Sequence, residues 1–356
     1  MAQVPINPIQ IDSLGKKVQR KAGQLVHAVR DLSFTLPARQ ICGLVGPNGA
    51  GKTSLLKLVA GLTPPSAGRV LLNGHDLSSE RDAALHHARW VIEGCRSVQE
   101  ERSVWENVSR AADKDLAEQT QSRARQFLHE LGLWERRDDA LNALSRGMQR
   151  QVALVCALAA NPSILLLDEP TQYLDEPAAR QVVAWIKQLA HEKGAAVLVA
   201  TRQPRLAAAL CDRVLVLRQG RLLADRRVGE LADLLVGEFF QIRVKGKLDE
   251  RRSEWFGDLT LSTEGEHTVL SGVMADQAAL QGVLGKLFAI GISLCSVTGV
   301  QASPENALAH LMYVWPGEPN SNSALAFARQ GSTDLDVSSV ERSRSCAAKS
   351  GPETGI

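Results

Sequence analysis

A glycine-rich loop lies near the start of the chain and reads Gly46-Pro47-Asn48-Gly49-Ala50-Gly51-Lys52-Thr53. It follows an apolar run of strand type, Ile41–Val45, and precedes a run of helical type, Ser54–Leu62. Glycines here let backbone N–H groups converge on phosphate oxygens, and the start of the helix adds a partial positive charge. Lys52 adds a full positive charge, and Thr53 offers a hydroxyl group to Mg²⁺. The fit to GxxxxGK[ST] between a strand and a helix predicts that residues 46–53 and Ser54 bind nucleotide phosphates.

Two adjacent carboxylates, Asp168 and Glu169, follow a second apolar run at Ile164–Leu167. In open α/β sheets ligands bind at the C-terminal ends of the strands, where these side chains are expected to lie. Asp168 is predicted to hold Mg²⁺ through a water molecule, and Glu169 to act as general base toward an attacking water. Together with the phosphate-binding loop, this pair indicates a nucleotide-hydrolysing site.

Short β-branched runs alternate with longer helical stretches from Ile9 to Ala224, which is typical of βαβ units around a parallel sheet. The clearest strand candidates are nearly continuous apolar runs, as a sheet buried on both faces requires. They are Ile41–Val45, Ile164–Leu167, Ala196–Ala200 and Val214–Leu217. Gln219-Gly220 predicts a turn into a polar hairpin strand. Helical composition at about residues 105–145 predicts an inserted helical subdomain within an α/β domain over residues 1–235.

The pattern changes after Leu235, where Phe240, Ile242 and Val244 alternate with polar residues as in a half-exposed strand. Strands are also predicted around Leu261, at His267–Leu270 and at Ser293–Val300, and Pro304 is expected to open a last helix. A helix between these strands is predicted to bury one face, formed by Leu280, Val283, Leu284, Leu287 and Phe288. Residues 236–315 are therefore expected to form a small α+β domain. Residues 316–356, rich in Ser, Gly, Pro and Glu, predict a disordered tail.

Composition excludes several classes of protein. The chain has 356 residues with 44% hydrophobic and 22% charged residues and a formal net charge of +2, which excludes a disordered or fibrous chain. This balance gives no basic field of the kind that nucleic-acid binders show, so we expect no nucleic-acid partner. The apolar runs are too short to cross a bilayer, and the first residues lack a signal-peptide pattern. Six scattered cysteines without a CxxC pair are expected to be reduced thiols in the cytosol.

A third motif, Leu144-Ser145-Arg146-Gly147-Met148-Gln149, precedes a helical run that ends at Asn161-Pro162. Ser145 is the predicted N-cap of that helix. In the order phosphate loop, LSRGMQ and carboxylate strand, the chain from Ile9 to about Leu235 resembles the ATP-binding-cassette (ABC) ATPases, P-loop NTPases with an LSGGQ signature. The resemblance implies ATP and Mg²⁺ as ligands. It also implies that two cassettes dimerise head to tail, with Ser145 and Gly147 touching the γ-phosphate of ATP bound by the other chain.

Two further segments resemble parts of the same family. Residues 91–94 and 103–107 resemble the segment that couples the nucleotide site to a membrane partner, with Glu93 where most cassettes carry Gln. Glu93 is still expected to accept a hydrogen bond from a Mg²⁺-bound water. Residues 171–175 resemble the D-loop, with Tyr173 where a small residue is usual.

Two departures from the family pattern concern the nucleotide itself. The position of the family's catalytic histidine, after the strand that follows the carboxylates, aligns with Arg202. Arg202 can pair with a γ-phosphate, but it stays protonated and offers no neutral imidazole to a water, and it can also be read as a solvated loop charge. The family stacks adenine on an aromatic residue, yet residues 1–33 contain none and Ala22 stands in its place. Either His27 or Arg20 stacks on the base, or nothing does.

The C-terminal unit resembles the extension of exporter cassettes of the drug-resistance and polysaccharide type. The resemblance is carried mainly by Ser303-Pro304-Glu305-Asn306-Ala307, which is similar to a PSLED motif that opens a last helix; an unrelated α+β appendage is the alternative. The chain is thus expected to be the ATP-binding subunit of an ABC exporter, on the cytoplasmic face of the membrane. Its expected partners are a separate integral-membrane permease and a second cassette, in a homodimer or heterodimer.

Two rival functions remain to be weighed. A soluble cassette ATPase acting on ribosomes or DNA is disfavoured, because no heptad array lies between Lys52 and Ser145. A cassette that binds ATP but hydrolyses it poorly, as the degenerate half of a heterodimer, is favoured by Arg202, Tyr173 and the missing aromatic. Lys52, Asp168 and Glu169 favour retained catalysis.

Overall fold

The computed structural model describes residues 7–19, 25–95, 97–111, 117–231, 238–246, 248, 256, 259–274, 277–300 and 303–313. The predicted tail, residues 316–356, lies outside the described residues. Within the described part, no helix is both long and apolar enough to span a membrane. The described cysteines are free thiols, of which Cys42, Cys156 and Cys211 are buried.

The described strands are, in chain order, β1 Ile9–Gln19, β2 Leu25–Leu36, β3 Gln40–Val45, β4 Ala67–Leu72, β5 His75–Asp76, β6 Ala88–Val91, β7 Ile164–Asp168, β8 Ala196–Thr201, β9 Arg213–Arg218, β10 Arg221–Arg227, β11 Glu238–Lys245, β12 Thr260–Glu264, β13 His267–Met274 and β14 Leu294–Val300. The described α-helices are α1 Lys52–Val59, α2 Arg81–Leu85, α3 Val104–Ala111, α4 Ala117–Glu130, α5 Arg146–Ala159, α6 Glu176–His191, α7 Pro204–Leu210, α8 Gln277–Ala289 and α9 Pro304–Tyr313.

A six-stranded sheet in the order β10-β9-β3-β8-β7-β6 forms the centre of the cassette. Its strands are parallel except β10, which pairs with β9 in the predicted hairpin. Successive residues of β7 face opposite layers: Leu165 and Leu167 join one hydrophobic cluster, and Leu166 joins the other. Burial on both faces explains why the sequence runs of these strands are continuously apolar. The predicted parallel α/β architecture is confirmed.

A four-stranded antiparallel sheet in the order β2-β1-β4-β5 is a feature that the sequence analysis did not assign. Its strands break the alternation of apolar and polar residues, because the β1–β2 register shifts between Ile11 and Leu14 and again on either side of Lys16. The sheet packs on the α1 side of the central sheet, where Ile9, Leu36 and Leu55 share one core cluster. Helix α1, whose first residues belong to the phosphate-binding region, is therefore held between two sheets.

The inserted helical region packs on α5 through α3 and α4. The α4 end is tied to α6, because the Phe127 ring stacks on Trp185 at a centroid distance of 4.1 Å and Trp185 Nε1 donates a hydrogen bond of 2.9 Å to Glu130 Oε2. These contacts join the inserted helices to the helices that cover the central sheet.

The C-terminal region contains an antiparallel sheet in the order β12-β13-β11-β14. Helix α8 contributes Leu287, fully buried, to the core of this sheet, and Leu280, Val283 and Leu284 pack against the same core. The expectation that Phe288 shares this buried face is wrong: Phe288 is 59% exposed, because the face that packs on the sheet is narrower than the sequence spacing suggests. The strands at residues 240–244, 260–264, 267–270 and 294–300 and the start of α9 at Pro304 agree with prediction.

Candidate functional site

A cavity of about 410 Å³ lies at the C-terminal ends of β3, β7 and β8. The residues predicted from the sequence that line it come from four separate segments of the chain. They are Asn48, Gly49, Ala50, Gly51, Lys52, Thr53, Ser54, Glu93, Asp168, Glu169 and Arg202. Gly46 and Pro47 lie beside this lining and contact the Lys52 side chain through their carbonyl oxygens. The parallel sheet thus brings together residues that are far apart in sequence.

The phosphate-binding loop is pressed against β2 and the β9–β10 turn. Gly51 has φ = +105°, and a Cβ atom there would lie 2.3 Å from the Ala28 carbonyl oxygen, so only glycine fits. The Gly220 N–H donates a hydrogen bond of 2.9 Å to the Ala50 carbonyl oxygen from the other side. The loop conformation is therefore fixed by backbone contacts.

Lys52 is 8% exposed, and its Nζ donates hydrogen bonds to the carbonyl oxygens of Gly46 at 2.6 Å and Pro47 at 3.0 Å. Burial lowers the pKa of the Lys52 ammonium group, the negative charges of Glu169 and Asp168 oppose this shift, and the positive charge of Arg202 adds to it. A buried cation at the start of α1, beside glycine backbone, is the arrangement that attracts phosphate oxygens.

Thr53 and Asp168 form a direct pair, in which Thr53 Oγ1 donates a hydrogen bond of 2.8 Å to Asp168 Oδ2. Asp168 is 2% exposed, and burial raises the pKa of its carboxyl group, while the hydrogen bond from Thr53 lowers it. Glu93 also lines the cavity, and its charge adds to the raised pKa of Asp168. A hydroxyl and two carboxylates are hard oxygen donors, so these residues fit Mg²⁺.

Glu169 adopts an unusual backbone conformation, with φ = +45°. Its N–H donates to the Ala200 carbonyl oxygen at 2.8 Å, and its carboxylate accepts hydrogen bonds from Thr201 Oγ1 at 2.9 Å and from the Arg202 N–H at 2.8 Å. Each carboxylate oxygen has further lone-pair capacity, so the group stays able to accept a proton from a water molecule. A non-glycine residue in this region is strained, and the surrounding donors hold it in place.

Arg150 is a residue of this site that the sequence analysis missed. From α5, its Nη2 donates hydrogen bonds to the carbonyl oxygen of Asp168 and, at 3.2 Å, to that of Glu169. Burial lowers the pKa of the Arg150 guanidinium group. Nothing in the sequence distinguishes it from Arg146 one turn earlier, which is exposed. Arg150 links α5, the helix that begins within the LSRGMQ motif, to the backbone of Asp168 and Glu169.

The lining of the cavity also includes Val18, Val26, His27 and Ala28. Val18 and Val26 face each other across the β1–β2 ladder. His27 is thus in reach of the nucleotide site, as one of the predicted options requires, whereas Arg20 and Ala22 lie outside the described residues. The two valines were not predicted, because the strands that carry them were not assigned from the sequence.

The signature residues stand apart from this cavity. Ser145 caps α5 by accepting a hydrogen bond of 3.3 Å from the Met148 N–H, as predicted. A Cβ atom at Gly147 would lie 2.5 Å from the carbonyl oxygen of Tyr173, whose own side chain is 57% exposed. Among the described residues that line the cavity, neither Ser145 nor Gly147 is present. Their contact with a nucleotide held by a second chain stays a prediction.

Arg202 follows β8 directly, at the position aligned with the family histidine, and it is one of the residues that line the cavity. The sequence has no histidine between His191 and His267. His191 Nε2 lies 3.0 Å from Asp212 Oδ2, and the same carboxylate oxygen accepts the Ile41 N–H at the start of β3. His191 is therefore placed at the opposite end of the sheet from the carboxylates.

A phosphate-binding loop, two carboxylates at a strand end and a capped LSRGMQ helix beside an inserted helical region define a P-loop ATPase of the cassette class. A family model described as "ABC transporter" matches residues 29–172, and one described as a domain of unknown function matches residues 239–298. The chain belongs to the ABC transporter ATP-binding cassette family.

Similar curated proteins are named as methionine import ATP-binding proteins MetN. The one from Cupriavidus pinatubonensis is 33% identical over 227 residues, covering 62% of this chain and 65% of that protein. The one from Histophilus somni is 30% identical over 247 residues, covering 67% of this chain and 72% of that protein. The match thus spans roughly two thirds of the length of these relatives.

Solved structures support the fold. A structure described as the ATP-binding subunit of an ABC transporter has a TM-score of 0.56 at 24% identity, covering 63% of this chain and 92% of that one. A dimeric cassette in a post-hydrolysis state with bound ADP and phosphate has a TM-score of 0.55 at 21% identity, covering 62% and 98%.

Lys52→Ala is expected to weaken MgATP binding by more than about tenfold, because a hydrogen bond to a charged group contributes about 1.5–3 kcal/mol. Isothermal titration calorimetry on the purified chain measures the affinity. Lys57→Ala removes a lysine from the last turn of the same helix and serves as the matched control. Equal affinity in Lys52→Ala and the control would remove the phosphate-loop assignment.

Asp168→Asn is expected to stabilise the nucleotide-free protein at neutral pH. Burial raises the pKa of Asp168, so the folded state loses stability as the pH rises from the ordinary pKa of an unfolded aspartate through this raised pKa, and the loss is constant at higher pH. Below the ordinary pKa of an unfolded aspartate, the group is protonated in both states and the effect vanishes. Urea unfolding at pH 3 to 8 should show that Asp168→Asn increases the free energy of unfolding relative to the wild type, by an amount that grows with pH. Asp138→Asn, at a side chain 80% exposed, should show none, and a pH-independent effect at Asp168 would contradict the prediction.

Proposed function

We propose that this chain is the ATP-binding subunit of an ABC exporter, which binds MgATP, dimerises on it and hydrolyses it to drive a separate membrane permease. One observation carries the proposal: Lys52, Thr53, Asp168 and Glu169 line the same cavity. Family membership supports ATP as the nucleotide.

Binding is assigned to the loop and the start of α1. Lys52 exchanges its contacts with the Gly46 and Pro47 carbonyl oxygens for phosphate oxygens, which keeps its charge compensated. Thr53 would hold Mg²⁺ through its hydroxyl group, and Asp168 and Glu93 would hold it through water. When bound, Mg²⁺ neutralises charge on the phosphates.

Hydrolysis is assigned to Glu169. Its carboxylate is oriented by Thr201 and by the backbone N–H of Arg202, and it takes a proton from the attacking water. Arg150 supports this geometry by hydrogen bonding to the Glu169 carbonyl oxygen. These residues supply positioning and general-base catalysis from within one chain.

A second cassette is proposed as the partner that completes the site. Ser145 and Gly147 lie at the start of α5, outside the cavity of their own chain, where they are accessible to a nucleotide held by another copy. The dimeric form of a structurally similar cassette supports this arrangement. Homodimer and heterodimer both satisfy it.

A permease is proposed to dock beside the segment that contains Glu93. A second cavity, of about 360 Å³, lies between β6 and helices α3 and α5. Trp90, Ala153 and Ala157 give it an apolar part, and Arg89 and Arg110 add positive charge. This lining suits an amphipathic segment with an acidic residue. Docking of the permease here is proposed to hold the chain at the cytoplasmic face of the membrane.

The direction of transport is proposed to be export, on the basis of the C-terminal unit. In this unit Ser303 and Pro304 begin α9, as in the exporter extensions that the unit resembles. The MetN relatives are named for import, but their matches cover only 62% and 67% of this chain. Methionine uptake by cells that depends on this chain would favour import instead.

A hydrolysis-impaired cassette is the second candidate function, and Arg202 is the observation that favours it. Arg202 lines the cavity, its positive charge contributes to the lowered pKa of Lys52, and its guanidinium group cannot serve as a neutral hydrogen-bond acceptor for water. In that case a non-identical partner supplies most of the turnover.

Glu169→Gln is expected to retain ATP binding and to trap an ATP-bound dimer, because the amide preserves the shape of the side chain but cannot accept the proton. Size-exclusion chromatography with MgATP measures the dimer. Glu176→Gln, at a side chain 83% exposed, is the matched control and should behave as wild type. A Glu169→Gln variant that stays monomeric at saturating MgATP would count against assembly of the site from two chains.

Arg202→His is expected to raise kcat by at least about tenfold with little change in KM, since positioning and acid–base groups contribute about 10²–10⁴-fold in the transition state. Steady-state ATPase assays measure both constants. Arg180→His changes an exposed arginine on α6 and should leave them unaltered. A lower kcat in Arg202→His would instead make Arg202 a catalytic clamp on the γ-phosphate.

A further inference from the structure

Helix α9 follows the C-terminal sheet in the chain but packs into the core of the cassette. Its buried residues Ala307, Leu308, Leu311 and Met312 belong to the hydrophobic cluster that covers one face of the central sheet. The core of the C-terminal sheet, which contains Leu287, is a separate cluster. The C-terminal unit therefore contributes one helix to a core that is not its own.

The element that receives α9 is α7, together with β9. Helix α7 has only seven residues and buries Leu206, Ala207 and Leu210 in the same cluster as α9. A helix this short has little stability of its own, so its position depends on the residues that pack on it. The packing of α9 therefore helps to hold α7 in its position.

Helix α7 begins directly after the residues that hold the Glu169 carboxylate. The Gln203 N–H donates to Thr201 Oγ1 at 3.0 Å, and the Ala207 N–H donates to the Gln203 carbonyl oxygen at 3.1 Å. The Thr201 hydroxyl in turn donates to Glu169 Oε2, and the Arg202 N–H donates to Glu169 Oε1. A displacement of α7 therefore moves both donors of the carboxylate.

We propose that Leu308 is a positioning residue for ATP hydrolysis, which acts through α7 on the orientation of the Glu169 carboxylate. Leu308 is fully buried in the cluster shared with α7. The strained backbone of Glu169, with φ = +45°, makes its geometry dependent on such support. The proposal rests on the proposed hydrolysis and assigns a role in turnover to the C-terminal unit, which contributes no described residue to the cavity lining.

The test compares Leu308→Ala with Leu287→Ala in the full chain. Both variants shorten a fully buried leucine of the C-terminal unit. Leu287, however, lies in the core of the C-terminal sheet, a cluster that contains no residue of the cassette. Leu308→Ala is expected to lower kcat by at least about tenfold, since small displacements of reacting groups have effects of this size, with KM changed less than twofold. Leu308→Met, which conserves volume, should restore kcat, and Leu287→Ala should leave both constants unchanged.

Hydrogen exchange read by mass spectrometry provides a measurement that does not need turnover. Leu308→Ala should increase exchange in a peptide covering residues 200–210, and Leu287→Ala should not. If Leu308→Ala fails to fold, Leu308→Val gives the same comparison with a smaller deletion. A wild-type chain without ATPase activity would contradict the proposed function, whereas unchanged exchange at residues 200–210 or an equal loss of kcat in both alanine variants would overturn the role of Leu308.

Discussion

The burial of one cation and two carboxylates in a single cavity is the constraint on which the site depends. Lys52, Asp168 and Glu169 are 8%, 2% and 9% exposed, and a charge can leave water only where partner groups replace its hydration. The partners are carbonyl oxygens of the loop for Lys52, the Thr53 hydroxyl for Asp168, and groups at the end of β8 for Glu169. All of them lie at one edge of the sheet, so the parallel arrangement of β3, β7 and β8 is what makes the burial of these charges possible.

Two layers of packing hold this edge in place. The antiparallel sheet and α1 support the phosphate-binding loop from one face of the central sheet, and helices α5, α6, α7 and α9 cover the other. Arg150, from this second layer, donates hydrogen bonds to the backbone carbonyl oxygens of Asp168 and Glu169, and Thr201 at the end of β8 donates one to the Glu169 carboxylate. The loop and the carboxylates of the site are thus supported by different cores.

The parts of the fold that could be predicted from the sequence are those in which a short local pattern of residues is compatible with only one local structure. The chemistry predicted for residues 46–53 and for Asp168-Glu169 depends on residues that are adjacent in the sequence. The N-cap at Ser145 depends only on the helical turn that follows it. The antiparallel sheet could not be predicted, because bulges in β1 break its alternation. The contact of Arg150 with the Glu169 backbone and the packing of α9 on α7 depend on which elements meet in the folded chain, so they could not be predicted. The prediction for Phe288 is wrong because a sheet covers only part of a helix face. Long-range contacts of this kind leave no signal in the spacing of the residues themselves.

The place of α9 in the cassette core also has a consequence for synthesis of the chain on the ribosome. Residues 204–210 emerge long before residues 304–313, and at about 5–20 residues per second the interval between them is on the order of ten seconds. During this time the cassette lacks α9, and the apolar side chains of Leu206 and Leu210 that share a core with it are less completely covered. Completion of the ATPase core is therefore delayed until residues 304–313 have been synthesised, so a chain terminated before them exposes an apolar surface.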